Sequence, residues 1–276
     1  MVALGINFMT EIYNELFSST LNLWYQWIEP TKLRLARTLH AKRDCDDKVS
    51  IIIATYNRSN ILINRTLPSV FAQSHQNIEV VVIGDCCVDD TVKKIQQVKD
   101  KRLRFHDLKK RGKYPKPIED RWFVQGTIPR NYGMKIAKGK WFVFISDDDV
   151  LYPNHIEVLL KNATEKKLEF ISAAYETVKD GKAIEVQPNM CNKDSKLICG
   201  GMQTWLYRSY LRTFKWNRYS WRKKYDRPVD YDLQQRFYQS GVRMGYIYDV
   251  VYYNPPVEGT NTTGYKAAIM AENQIA

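Results

Sequence analysis

Three consecutive aspartates, Asp147, Asp148 and Asp149, follow the apolar run Trp141-Phe-Val-Phe-Ile145. Carboxylates so close in sequence repel one another unless a cation, or a metal carried in on a diphosphate, neutralises them. Mg²⁺ and Mn²⁺ favour oxygen ligands and keep positions open for substrate phosphates, so the run implies a divalent cation (Mn²⁺ or Mg²⁺). A helix N-terminus also favours acids, but it accounts for Asp149 and not for all three. Two more polar clusters follow apolar, β-branched runs: Thr55-Tyr56-Asn57-Arg58 after Val49 to Ala54, and Asp85 to Asp90 after Ile78 to Ile83.

The elements that must carry these clusters alternate. Short β-branched runs read as buried parallel strands, and helical patterns over 61–73, 91–99, 130–137 and 153–164 separate them. A weaker strand is expected at 103–106 and another at 168–173. Strand-then-helix repeats specify a parallel sheet with helices on both faces, and ligands bind beyond the carboxyl ends of its strands. All three clusters fall at those ends. Residues 109–127, with Pro115 and Pro117 and no period, read as a long loop over that rim, a cover or a simple insertion. Ahead of the sheet, Ile12, Tyr13, Leu16, Phe17, Leu21, Trp24 and Ile28 recur at helical intervals up to Pro30, expected to interrupt the helix. A second short helix is expected after it, with Leu33, Ala36 and Leu39 on one face. This segment could pack on the domain or lie on a membrane surface.

Four stretches share the order seen in a known family: Val49-Ser-Ile-Ile-Ile-Ala-Thr-Tyr-Asn-Arg58, Ile83-Gly-Asp-Cys-Cys-Val-Asp-Asp-Thr91, Pro129-Arg-Asn-Tyr-Gly133 and Phe144-Ile-Ser-Asp-Asp-Asp-Val-Leu-Tyr-Pro153. Together they resemble family 2 glycosyltransferases of the GT-A fold, over roughly residues 48–255. The resemblance implies an inverting enzyme that takes a sugar from a nucleotide-diphosphate donor (UDP-, GDP- or dTDP-sugar) to a glycan or lipid-linked acceptor. Thr55, Tyr56 and Arg58 look like the loop that cradles base and ribose. Asp85 matches the aspartate that bonds the base, and Asp89 its partner in the next turn. Arg130 and Asn131 resemble the helix-start pair that shapes the donor pocket, and Asp147 belongs to the same donor set. Asp148, then Asp149, match the metal motif. Arg227-Pro-Val-Asp-Tyr-Asp-Leu233 resembles the family's acidic helix start, which makes Asp230 the general base and leaves Asp232 to cap or orient the helix. Gly200, Gly201 and Trp205 resemble the strand that faces the acceptor. The sequence departs from the pattern twice: Gly84 stands where an acid is usual, and Ser146 where the metal motif often has its first aspartate.

Size and charge bound these expectations. The 276 residues suit one α/β domain, here GT-A, a Rossmann-like mostly parallel sheet flanked by helices with an N-terminal helical extension. The expected divisions are 1–47 for the extension, 48–150 for the donor half, 151–255 for the acceptor half and 256–276 for a tail. The net charge of +12 calls for an acidic partner: nucleic acid, an anionic membrane or a phosphorylated substrate. A nucleic-acid-binding protein could use the basic, aromatic stretch 205–227, but it leaves the rim clusters without a role, so no nucleic-acid partner is expected. A nucleotidyltransferase usually has a glycine-rich phosphate loop near its first strand, and Thr55 to Asn60 contains no glycine. The five cysteines include no CxxC pair, which signals neither a disulfide framework nor a zinc site. With no charged leader before Glu11, a cytoplasmic protein is expected, at most peripheral to a membrane.

Overall fold

The computed structural model describes residues 2–40, 47–190, 198–223 and 227–275. It opens with one long helix, α1 (Val2–His40), and then alternates: β1 (Val49–Thr55), α2 (Ser59–Ile61), α3 (Leu67–Phe71), β2 (Ile78–Gly84), α4 (Thr91–Ile95) and β3 (Leu103–Asp107). Next come α5 (Ile118–Arg121), α6 (Thr127–Ile136), β4 (Trp141–Ser146), β5 (Val150–Leu151), α7 (His155–Glu165), β6 (Phe170–Lys179) and β7 (Lys182–Val186). The small pair β8 (Asn189–Met190) and β9 (Ile198–Cys199) precedes β10 (Leu206–Arg208), α8 (Val229–Gln239), β11 (Met244–Asn254) and α9 (Gly264–Ile275).

The main sheet has the order β3-β2-β1-β4-β10-β6-β11-β5, with β7 beside β6. Its first four strands run parallel, and so do β6 and β11, whereas β10 pairs antiparallel with both β4 and β6. The central strands β1, β2 and β4 are buried along nearly their whole length because both faces are covered. Alternate residues divide between two cores. Ile51, Ile53, Val80, Val143 and Ile145 pack with Leu159 of α7, while Ile52, Val81, Phe142 and Phe144 pack with Met134 of α6 and Phe237 of α8.

Several elements differ from expectation, each for a local reason. Pro30 lies inside α1 and does not end it. A proline there removes one backbone bond and crowds the preceding turn, but neighbours on both sides hold the helix. Glu29 forms a buried ion pair with Arg236 at 2.5 Å, Leu33 is fully buried, and Arg37 pairs with Glu169 at 2.5 Å. The helix expected over 61–73 is a short α-turn, a π-helical turn at Leu62–Thr66 and then α3. Within the basic stretch, residues 205–223 form β10 and short 3₁₀ turns at Ser209–Thr213 and Ser220–Arg222. Its aromatics enter the core: Trp205, Tyr207, Phe214 and Trp216 are buried. The expected tail carries α9, whose Tyr265 meets Trp122 and Phe123 with ring centroids 5.4 and 5.7 Å away.

Candidate active site

Asp147 begins the turn that ends β4, where the carboxyl ends of β1 and β4 lie side by side. Thr55, the last residue of β1, donates its hydroxyl to Asp147 Oδ2 at 2.7 Å, and Thr66 donates to the Asp147 carbonyl at 2.9 Å. Arg58 reaches back from the β1 loop to lie 3.5 Å from Asp147 Oδ1 and 2.5 Å from Asp148 Oδ2. Asp149 turns under the strand end and accepts the Ser146 amide at 2.7 Å. Burial, then the charge of Asp148, pushes the Asp147 carboxyl up to about 6 and the Asp149 carboxyl up to about 7. The turn therefore holds more negative charge than its surroundings stabilise.

The donor set decides what kind of cation fits. Among the described residues no three His, Cys, Asp or Glu side chains converge as a cage. Asp147 is engaged by Thr55 and Arg58, and Asp149, 1 % exposed, is engaged by the backbone. Asp148 is the more exposed of the two that Arg58 meets, its side chain 29 % exposed, and a cation there would take the place of the Arg58 guanidinium now 2.5 Å away. One carboxylate beside open space suits a Mg²⁺- or Mn²⁺-sized ion that completes its shell with substrate phosphates and water. It does not suit a cation enclosed by protein.

Arg130 links this turn to the other acids. It stands in the first turn of α6, whose N-terminal end follows Gly126, a residue with φ +77° that lets the chain reverse into the helix. Burial pulls the Arg130 guanidinium below its usual range, opposed by the charges of Tyr114, Asp230, Asp147 and Asp149. Asp230, the second residue of α8, accepts the Tyr231 amide at 3.0 Å, while the cap position belongs to Pro228. Burial raises the Asp230 carboxyl, and Arg130 opposes the rise. Tyr175 of β6 senses both Asp230 and Asp149. The end of β4 and the start of α8, about 80 residues apart in sequence, thus face one another across shared neighbours.

Asp85 sits at the end of β2, 4 % exposed, and accepts the Gly112 amide at 2.9 Å. Tyr114 lies against it, and burial together with the Asp85 charge raises the Tyr114 hydroxyl far above its ordinary range. The loop expected over the rim does cover it, since Arg111 stacks on Tyr56 with its guanidinium carbon 3.1 Å from the ring centroid. Gly84 has a structural reason: a side chain there would overlap the carboxylate of Asp107, its partner in register on β3. Asp107 places a carboxylate beside Gly84 and accepts the Cys87 amide at 3.1 Å.

Other expected residues do different work. Asn131 is bonded through both ends of its amide to the Trp216 backbone, at 3.0 and 2.9 Å, and fixes that loop rather than facing the cleft. Asp89 accepts the Thr91 amide at 3.0 Å just ahead of α4, and lines a cavity of about 590 Å³ with Asn57, Arg58, Lys94 and Glu258. Trp205 has no exposed surface: it stacks on Trp216 with centroids 5.6 Å apart and donates to the Gly200 carbonyl, so no ring face is open to an acceptor. Gly200 is small for packing, since a Cβ there would come within 3.0 Å of Ser172 and Thr204. Gly201 has ordinary room. Asp232 is fully buried between Lys223, Asn217 and Arg236, and orients α8. Sequence reasoning missed Gln203, whose amide helps hold Asp149, and it missed Tyr114, Tyr175 and Glu258. Gln203 lay within the stretch singled out for Gly200 to Trp205; Tyr114 and Glu258 lie in segments with no period to mark them.

A model of the family described as "Glycosyl transferase family 2" matches residues 50–251. An uncharacterized glycosyltransferase of Rickettsia felis is 34 % identical over 154 residues, 55 % of this chain and 23 % of that protein. The Escherichia coli UDP-Glc:alpha-D-GlcNAc-diphosphoundecaprenol beta-1,3-glucosyltransferase WfaP is 30 % identical over 132 residues, 48 % of this chain and 47 % of that protein. The chain therefore spans between a quarter and a half of the length of these relatives. Among solved structures, S. aureus TarS 1-349 in complex with UDP-GlcNAc superposes with a TM-score of 0.60 at 21 % identity, covering 78 % of this chain and 60 % of that one. The mannosyltransferase PcManGT from Pyrobaculum calidifontis, in complex with GDP-Man and Mn²⁺, superposes with a TM-score of 0.55 at 13 % identity, covering 92 % and 70 %. Both likenesses are of fold.

Proposed function

The chain belongs to glycosyl transferase family 2, and from that membership we propose that it transfers a sugar, with inversion, from a nucleotide-diphosphate donor to an acceptor hydroxyl. One observation carries the proposal: the half-buried Arg130 lies within electrostatic reach of Asp230 from α8 and of Asp147 and Asp149 from the end of β4. A base for the acceptor and an acidic site for the donor then lie across one cleft.

Asp230 takes the proton of the attacking hydroxyl, and its raised carboxyl brings it nearer to the pH at which such a transfer is efficient. Asp148 would hold the divalent cation, which when bound neutralises charge growing on the departing diphosphate. Arg58, paired with Asp147 and Asp148, would meet the same phosphates once a cation takes its place on Asp148. Thr55 holds Asp147 in place. Tyr56 and Asp85 receive the base. The acceptor belongs to the glycan or lipid-linked class, in line with the diphosphoundecaprenol-linked substrate in the name of the E. coli relative. A lipid-linked acceptor would put the enzyme at a membrane face. The test is hydrolysis or transfer of UDP-, GDP- and dTDP-sugars with Mn²⁺ or Mg²⁺. Turnover that depends on metal and is lost in Asp148→Ala and Asp230→Asn supports the assignment; full activity in both variants refutes it.

A further inference from the structure

The outer face of α1 has no partner among the described residues. Its inner face packs on the domain along 18–36, where Ser18, Glu29, Leu33 and Ala36 are buried. The opposite face carries Leu16, Leu23 and Trp27, which at spacings of seven and four residues fall along one stripe, with Tyr13 and Trp24 beside it. Trp27 is 79 % exposed and Leu16 64 %. Between Glu15 and Glu29 the sequence has no charged residue. Water therefore meets an apolar strip about three helical turns long, in a protein whose net charge is +12.

Cations edge this strip on the side of its aromatics. The Arg222 guanidinium lies 5.5 Å from the ring centroids of both Tyr13 and Phe17, and Lys32 Nζ lies 5.2 Å from that of Trp24. Beyond Lys32 stand Lys135, Arg212 and Lys215. Burial and then the charges of Arg212, Lys135 and Lys32 pull the Lys215 ammonium below its ordinary range, so these cations crowd one another. Indole rings and leucines bordered by crowded cations match a lipid interface whose headgroups are anionic. The strip alone would equally suit a second copy of the chain, but two copies joined there would bring these cation edges close to each other.

We infer that the outer face of α1 docks on an anionic membrane surface, with Leu16, Leu23 and Trp27 entering the headgroup boundary and Lys32 and Lys215 meeting lipid phosphates. The helix lies along the surface and does not cross it; none among the described residues is long and apolar enough to cross. Docking does not depend on the transferase reading, because it is measured without any sugar donor.

The test is co-sedimentation of the whole protein with phosphatidylcholine vesicles, with and without phosphatidylglycerol. Wild type is expected to pellet with the anionic vesicles and to be released by salt. The double variant Leu23→Glu/Trp27→Glu alters exposed side chains only, so it keeps its fold, checked by its thermal melt, and binds about tenfold or more weakly. Lys32→Glu/Lys215→Glu is expected to lose the preference for anionic over neutral vesicles. Wild type remaining in the supernatant with both vesicles would overturn the inference, as would the Leu23/Trp27 variant pelleting like wild type. A dimer in analytical ultracentrifugation that Trp27→Glu dissolves, without vesicle binding, would assign the face to a second copy instead.

Discussion

Asp230→Asn keeps the shape of the side chain and its bond from the Tyr231 amide, while removing its capacity to take a proton. The variant should lower kcat by about 10²- to 10⁴-fold with donor affinity little changed, measured by steady-state kinetics on the best donor. Unchanged kcat would move the base elsewhere. Arg130→Met should act on both sides of the cleft, weakening donor binding and shifting the pH profile of kcat upward, since the cation that opposes the rise of the Asp230 carboxyl is gone. At this scale the sequence was informative where a motif fixed both type and position. Thr55, Arg58, Asp147 and Asp148 lie together as their spacing after buried strands implied. It misled where glycine and tryptophan were read as a sugar-facing surface. Trp205 and Gly200 have the same types in a core as in a binding strand, and only packing distinguishes the two.

Elements hold these residues through buried charge. Arg236 of α8 lies between Asp232 and Glu29, the latter from α1, all three 4 % exposed or less. Glu29→Ala leaves a buried guanidinium short of one partner and should cost about 3–5 kcal/mol, read as a drop in the thermal or denaturant midpoint. A smaller loss would mean that α1 is not an integral part of the domain. His155 at the start of α7 is buried and donates from Nδ1 to the Val251 carbonyl, 3.0 Å away, and burial holds it down to about 4 from an ordinary 6.5. The unfolded chain binds a proton below 6.5 and the folded one does not until about 4, so stability is lost as pH falls through that window, by about 3 kcal/mol. Asp147 and Asp149, with raised carboxyls, gain stability over much of the same range. The clean observable is therefore the difference between wild type and His155→Leu. The stability gap should shift against wild type between pH 7 and pH 4.5; a constant gap would contradict the burial of a neutral imidazole. The strands were legible because β-branched runs bounded by polar clusters allow few alternatives. The helices were less so: Pro30 weighs against a continuous helix by local rules, and the burial of Leu33, with the ion pairs of Glu29 and Arg37 to partners more than 100 residues away, reverses that.

Across the whole molecule, the sheet changes direction at β10, between the parallel strands of the donor side and the β6–β11 pair that leads from α8. Periodicity foretold the parallel half; β10 is three residues long and offers too little pattern to announce an antiparallel partner. The C-terminal residues were equally silent, yet Val257 and Glu258 complete the wall beside Arg58. The central claim is that this rim binds a nucleoside diphosphate together with a divalent cation at Asp148. Calorimetric titration of UDP, GDP and dTDP, with Mn²⁺ and with EDTA, on wild type and Asp148→Ala addresses it directly. One of the three should bind wild type at least about tenfold tighter with Mn²⁺ than with EDTA, and the variant should lose that difference. Binding that ignores both the metal and the substitution, or no binding of any of the three, would contradict the account.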